Sequence, residues 1–226
     1  MGEMVQFPFA GGNTGGYLAT PKQGSGPGVI VIQEWWGLVD HIKDVCDRFA
    51  EEGFVALAPD LYHGKTTTSP DEAGKLMMAM RIDEAEKDLS AAVQYLSTQD
   101  STTSDKVGVV GFCMGGALSL YTATKNDRVG ACVVFHGGHP KVKPDLPNLH
   151  APVLGLYGEN DKGVNPDVVH ALERDVKALG KSIEVVIYPG ADHAFFNDQR
   201  PQVYNAEAAA DAWRRTIAFL REHLSV

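Results

Sequence analysis

Short runs of β-branched and aliphatic residues alternate along the chain with longer stretches whose apolar positions recur every three or four residues. This alternation predicts a sheet wrapped by helices. Residues 4–8 and 16–20, separated by glycine-rich sequence, read as an antiparallel opening hairpin. Further runs read as strands: Val29–Gln33, Phe54–Ala58, Val107–Gly111, Ala131–Phe135, Pro152–Tyr157 and Ile183–Tyr188. Most are continuously apolar, as parallel strands buried on both faces are. Helical periodicity falls at about 40–52, 72–98, 114–125, 166–179 and 203–223. In the last stretch Ala206, Ala209, Ala210, Trp213, Ile217, Leu220 and Leu224 share one face, which is expected to pack on the sheet. No internal repeat or flexible linker divides the sequence, so a single α/β domain over residues 1–226 is expected, with a mostly parallel sheet of about eight strands and helices on both faces.

Composition narrows the class. With 44% apolar residues the chain of 226 residues reads as globular and not disordered. Its 20 basic residues are outnumbered by 29 acidic ones, giving a net charge of −9 and no basic patch for a phosphate backbone, so nucleic acid is not an expected partner. No apolar run approaches the ~18 residues of a membrane span, and the first residues lack the basic and apolar regions of a secretion signal. Cys46, Cys113 and Cys132 are odd in number and lack CxxC spacing, which argues against a disulfide framework or a zinc site. A reducing cytoplasm is the expected location, no metal or cofactor is expected, and the chain is expected to be a monomer or weak homodimer.

The strongest local signal is Val107-Gly-Val-Val-Gly-Phe-Cys-Met-Gly-Gly116, a buried strand running into G-x-C-x-G and then a helix. This is a nucleophile elbow with cysteine in place of serine. A strand that turns at once into a helix forces the central residue into strained dihedrals, and the small Gly111 and Gly115 let neighbouring backbone approach. Cys113 is thereby lifted to the C-terminal edge of the sheet. It also stands at a helix N-terminus, which favours a thiolate. The partners follow in the order such a triad needs. Asp161 comes after the Pro152–Tyr157 strand and His193 after Ile183–Tyr188. His193 is the expected general base and acid, and Asp161 the group that fixes its tautomer. Glu159 is a rival acid in the same turn, and Asp192 is expected to point away from its neighbour. His150, His170 and His223 read as surface or packed histidines.

The chain resembles the dienelactone hydrolase (carboxymethylenebutenolidase) family of α/β-hydrolases over nearly its whole length. The resemblance rests on Gln33-Glu34-Trp35-Trp36-Gly37, Ala58-Pro59-Asp60-Leu61-Tyr62, Gly111-Phe-Cys-Met-Gly-Gly116 and the Cys113, Asp161, His193 order. It implies the α/β-hydrolase fold and a hydrolase of small ester or lactone substrates. It also implies that Glu34 holds the resting cysteine as a neutral thiol and takes its proton when substrate rearranges the site. A carboxylate closing a buried strand beside two tryptophans is costly without a partner, which marks Glu34 independently. The oxyanion hole is expected from the backbone N–H groups of Met114 and Trp35. Trp35, Trp36, Tyr62, Phe195 and Phe196 are candidates to wall an apolar pocket, with plain packing the alternative for each.

One departure bears on substrate. Family members acting on the chlorocatechol intermediate grip its carboxylate with two arginines, one early in the long helical stretch and one four residues past the histidine. Here Ser69–Met80 contains no arginine and the later position is Asn197, with Arg81 and Arg200 nearby in sequence. The expected substrates are therefore neutral or activated esters and lactones, with acyl or phosphoryl electrophiles as further candidates. Two other readings are a non-catalytic ligand receptor on the same fold and a redox sensor using Cys113. The intact Cys113, Asp161, His193 and Glu34 set argues against the first, and the lack of a resolving cysteine near Cys113 against the second.

Overall fold

The computed structural model describes residues 2–9 and 12–224. Its strands are β1 (Glu3–Phe9), β2 (Gly12–Ala19), β3 (Gly28–Ile32), β4 (Val55–Pro59), β5 (Val107–Phe112), β6 (Val129–Phe135), β7 (Val153–Gly158) and β8 (Ile183–Tyr188). They form one 8-stranded sheet in the order β1-β2-β4-β3-β5-β6-β7-β8. β1 pairs with β2 and β2 with β4 antiparallel, and every other pairing is parallel. Residues 12–15, expected as part of the glycine-rich turn between the first two strands, belong instead to β2, and residues 10–11 lie outside the described residues.

The helices are α1 (Asp40–Glu51), α2 (Pro70–Ala79), α3 (Ile82–Ser97), α4 (Met114–Lys125), α5 (Pro166–Ala178) and α6 (Ala206–His223). Strand side chains alternate between two cores. Val29, Val31, Val110 and Phe112 join Ile42, Phe49, Ile217 and Leu220 of α1 and α6 on one face. Ile30, Ile32, Val107 and Val109 join Leu89, Val93, Leu118 and Val169 of α3, α4 and α5 on the other. β3 and β5 are neighbours, and the chain leaves β3 for β4 on one side and continues from β5 to β6 on the other. That reversal opens a crevice at the C-terminal strand ends, where α/β sheets bind ligands.

Two expectations about helices are corrected. The stretch 72–98 is not one helix: Met80 (φ −60°, ψ 128°) and Arg81 (φ −85°, ψ 118°) are extended and separate α2 from α3. Arg81 pairs instead with Asp83 and Glu84 in the first turn of α3, where acidic groups suit the helix N-terminus. The final helix begins at Ala206 rather than 203, because Asn205 caps it by accepting the N–H of Ala208 at 3.1 Å. Its buried face is Ala208, Ala209, Ala212, Thr216, Ile217 and Leu220, while Ala206 and Ala210 are exposed. Among the described residues no helix is long and apolar enough to cross a membrane.

Candidate active site

Cys113 sits between β5 and α4 with φ 55° and ψ −120°, a left-handed conformation that a side chain rarely adopts. Only bare backbone fits around it. A Cβ on Gly111 would lie 1.9 Å from the carbonyl oxygen of Gly115, and one on Gly115 would lie 2.3 Å from that of Ile32. The N–H of Cys113 points at both the Phe135 carbonyl, 3.0 Å away, and Nδ1 of His136, 3.1 Å away. The turn is thus held from β3 on one side and β6 on the other.

The loops after β7 and β8 bring the acid to the base. Asp161 is buried, and its Oδ2 lies 2.5 Å from Nδ1 of His193. Its Oδ1 accepts the N–H groups of Gly163 at 2.8 Å and Val164 at 2.9 Å. Burial works against the Asp161 carboxylate, but the hydrogen bond from His193 and those two N–H groups prevail and hold it below its usual range. For His193 burial opposes the charged form. Hydrogen bonds to Asp161 and Cys113, and the electrostatic attraction of both groups, overcome this and push His193 up to about 10. The rival acid Glu159 turns away and accepts the N–H of Gly190 at 2.9 Å, while Asp192 is exposed.

His136 was not singled out in the sequence. It follows β6 directly, is fully buried, and has φ 40°. Its ring lies 4.5 Å from that of His193. Burial, then the neighbouring His193 charge, holds it well below the usual histidine range, so it is neutral and its Nδ1 is free to accept from Cys113. Its one sequence signal was position, a polar residue at the end of an apolar strand beside the elbow strand.

Glu34 closes the opposite side, buried at 2% exposure, with Oε2 accepting from Nδ2 of Asn197 at 2.9 Å. Burial raises its carboxyl above the usual range, against the hydrogen bond from Asn197 and the charges of Arg200 and His193. Among the described residues no hydrogen bond joins Glu34 to Cys113. The backbone N–H groups of Met114, which opens α4, and of Trp35 donate to no group in the described structure and remain available to an oxyanion.

These groups border a cavity of about 940 Å3. Glu34, Trp35, Cys113, Asp161, His193 and Arg200 line it together with Met77, Gly116, Ala117, Leu120, Val134, Val142, Tyr157, Val164 and Leu172. The remaining pocket candidates stand one layer behind. Phe195 and Phe196 are core residues, because Ala194 (φ 61°) turns the chain after His193 back under the sheet edge, against Phe135 and Trp213. Tyr62 is buried with its hydroxyl 3.3 Å from Sδ of Met114. Trp36 backs Trp35 and carries the Arg200 guanidinium 5.1 Å from its ring centre. Asn197 serves the site through Glu34. Arg81 stays in its surface ion pairs.

The sequence profile of the Dienelactone hydrolase family matches residues 14–224. The chain belongs to the dienelactone hydrolase family. It is 46% identical over the full length of both chains to Protein usf of Aquifex pyrophilus. It is 39% identical to a protein of Aquifex aeolicus that carries the carboxymethylenebutenolidase name, covering 99% of this chain and 100% of the relative. A dienelactone hydrolase-like promiscuous phosphotriesterase from metagenomic libraries superposes with a TM-score of 0.89 at 25% identity, covering 100% of this chain and 99% of the other. As a dienelactone hydrolase family member, the chain is a hydrolase of the carboxymethylenebutenolidase kind, acting on ester bonds.

Proposed function

We propose that this chain hydrolyses neutral or activated esters and lactones through a covalent acyl-cysteine, with Cys113 as nucleophile, His193 as base and acid, and Asp161 as its orienting partner. The observation that carries the reading is the Asp161–His193 pair set at 2.5 Å beside a cysteine held at positive φ on a helix N-terminus. With the thiol proton passed to Glu34 and His193 present as the imidazolium, the Cys113 thiolate attacks the ester carbonyl carbon, forming a C–S bond while the carbonyl oxygen takes negative charge toward the N–H groups of Met114 and Trp35. As the tetrahedral intermediate collapses the C–O bond breaks, and the His193 imidazolium gives its proton to the leaving alkoxide. Water then attacks the thioester. His193 takes the proton from that water, and the C–S bond breaks to return the thiolate.

Glu34 belongs to the same proposal as the group that holds Cys113 neutral at rest. That pairing requires the side chain of Cys113 to leave His193 and reach Glu34, whose raised carboxyl suits proton exchange with a thiol. The related phosphotriesterase makes activated phosphotriesters a second substrate class for the same nucleophile.

A panel of p-nitrophenyl esters, lactones and dienelactones, run with and without a thiol alkylator, tests the reading. Alkylation is expected to abolish turnover, because Cys46 and Cys132 are buried and only Cys113 is accessible. Full turnover after complete labelling of Cys113 would overturn it.

A further inference from the structure

The cavity is larger and greasier than a small lactone needs. Its volume of about 940 Å3 lies near the top of the ~300–1,000 Å3 usual for small-molecule sites. Its charged and catalytic-type lining groups, Glu34, Asp161, Lys162, Asp192, His193 and Arg200, all stand on the segments that follow β3, β7 and β8. From Cys113 the walls run past Gly116 and Ala117 on the first turn of α4 to Leu120, and are completed by Val134, Val142, Val164 and Leu172. At 1.5 Å per residue, Leu120 lies about 10 Å along the helix from Cys113, roughly the length of an extended eight-carbon chain.

The chamber also has a roof. The segment after β6 crosses to the C-terminus of α2, where Nε2 of His139 lies 3.3 Å from the Met77 carbonyl oxygen and Lys141 donates to that of Met78. Both side chains thereby turn their polar atoms onto the unpaired carbonyls at that helix end. The wall that α4 and α5 contribute, Gly116, Ala117, Leu120, Val168 and Leu172, carries no charge, so a carboxylate lying against those helices would find no counter-ion on them.

Resting on the hydrolase reading above, we infer that this chamber receives an uncharged apolar acyl chain of about six to ten carbons, so that the substrate is a medium-chain ester. The acyl group is the occupant because it stays bonded to Cys113, at the head of the same helix whose first two turns form the chamber wall. The leaving alcohol departs past His193.

The test is kcat/KM for p-nitrophenyl acetate, butanoate, hexanoate and octanoate, beside an alcohol series of alkyl acetates. Burying each added methylene is expected to raise kcat/KM by up to about fourfold, so octanoate should exceed acetate by at least about tenfold. Leu172→Trp, which fills the far end, should lower the octanoate-to-acetate ratio about tenfold. Leu179→Trp, at an exposed position past the end of α5, should leave the ratio as in the wild type. A flat or falling acyl series, or a ratio unmoved by Leu172→Trp, would overturn the inference while leaving the hydrolase reading intact. Chain-length preference confined to the alkyl acetates would place the chain on the alcohol and overturn the acyl assignment. Inactivity toward every ester would defeat the hydrolase reading itself.

Discussion

Three donors converge on one carboxylate at Asp161: the His193 ring and the N–H groups of Gly163 and Val164. An amide in its place loses the charge that holds the imidazolium, so Asp161→Asn is expected to lower kcat by about a hundred- to ten-thousandfold. Glu159→Gln, which touches only the Gly190 N–H, should change kcat less than about twofold. The reverse pattern would make Glu159 the acid. Stability follows the same pair. His193 is raised from 6.5 to about 10, so its contribution is complete below pH 6.5 and is lost as pH rises toward 10. Urea melts of wild type and His193→Gln should accordingly differ most near pH 6 and draw together toward pH 10. Glu34 has the same sign from the opposite cause. Burial raises a carboxyl, so the wild type sheds stability as pH climbs through the raised value, and Glu34→Gln, which cannot ionise, does not. That variant should melt at least as high as wild type at pH 7 yet turn over ester poorly; a lower melting temperature would mean that the charged carboxylate holds the fold. His136→Phe keeps a ring packed at a tilt beside His193 but removes one of the two acceptors that face the Cys113 N–H, leaving only the Phe135 carbonyl. A hydrogen bond of ordinary strength makes that worth about tenfold in kcat with the pH profile unmoved. His136→Asn, which restores an acceptor, should recover part of it.

The elbow is the element where sequence and structure coincide most closely. Gly111, Cys113 and Gly115 left little choice of backbone once a buried strand had to become a helix within one residue. A Gly115→Ala methyl would stand 2.3 Å from the Ile32 carbonyl oxygen and 2.5 Å from that of Gln33, both rigid backbone. Overpacking against backbone costs about 1–3 kcal/mol, so a melting temperature lower by roughly 2–10 °C is expected by calorimetry. An unchanged melting temperature would show that the β3–α4 approach is looser than these distances say. Where the sequence misled, local signals were weaker than tertiary ones. The apolar period ran unbroken through Met80 and Arg81, and nothing there resembles proline or glycine, so the break between α2 and α3 was hidden. α2 also begins two residues before the expected 72, because Ser69 caps it and Pro70 suits the first helical position. The C-terminal stretch lost its first residues because Asn205 offered a better cap than the continuing periodicity could outweigh.

Across the whole molecule, strand order places the candidate nucleophile at the point where the chain reverses direction across the sheet, and the loops after β7 and β8 deliver acid and base to the same edge. That arrangement was legible because Cys113 directly follows an apolar strand and Asp161 and His193 lie on the short loops after two others. The cavity was not legible. Its walls come largely from α2, α4, α5 and the segment after β6, which are brought together only by packing, while of the aromatic candidates Trp35 reached the lining and Trp36, Tyr62, Phe195 and Phe196 turned inward or stood behind it. The central claim is that Cys113 carries the acyl group, and intact-mass spectrometry tests it most directly. Wild type and His193→Ala are quenched seconds after mixing with p-nitrophenyl hexanoate, and any adduct is located by peptide mapping. The account predicts a hexanoyl increment on the peptide containing Cys113, accumulating in His193→Ala where deacylation stalls, and absent from Cys113→Ala, which should also lack turnover. A Cys113→Ala protein that hydrolyses the ester as fast as wild type, or an adduct on any other residue, would contradict it.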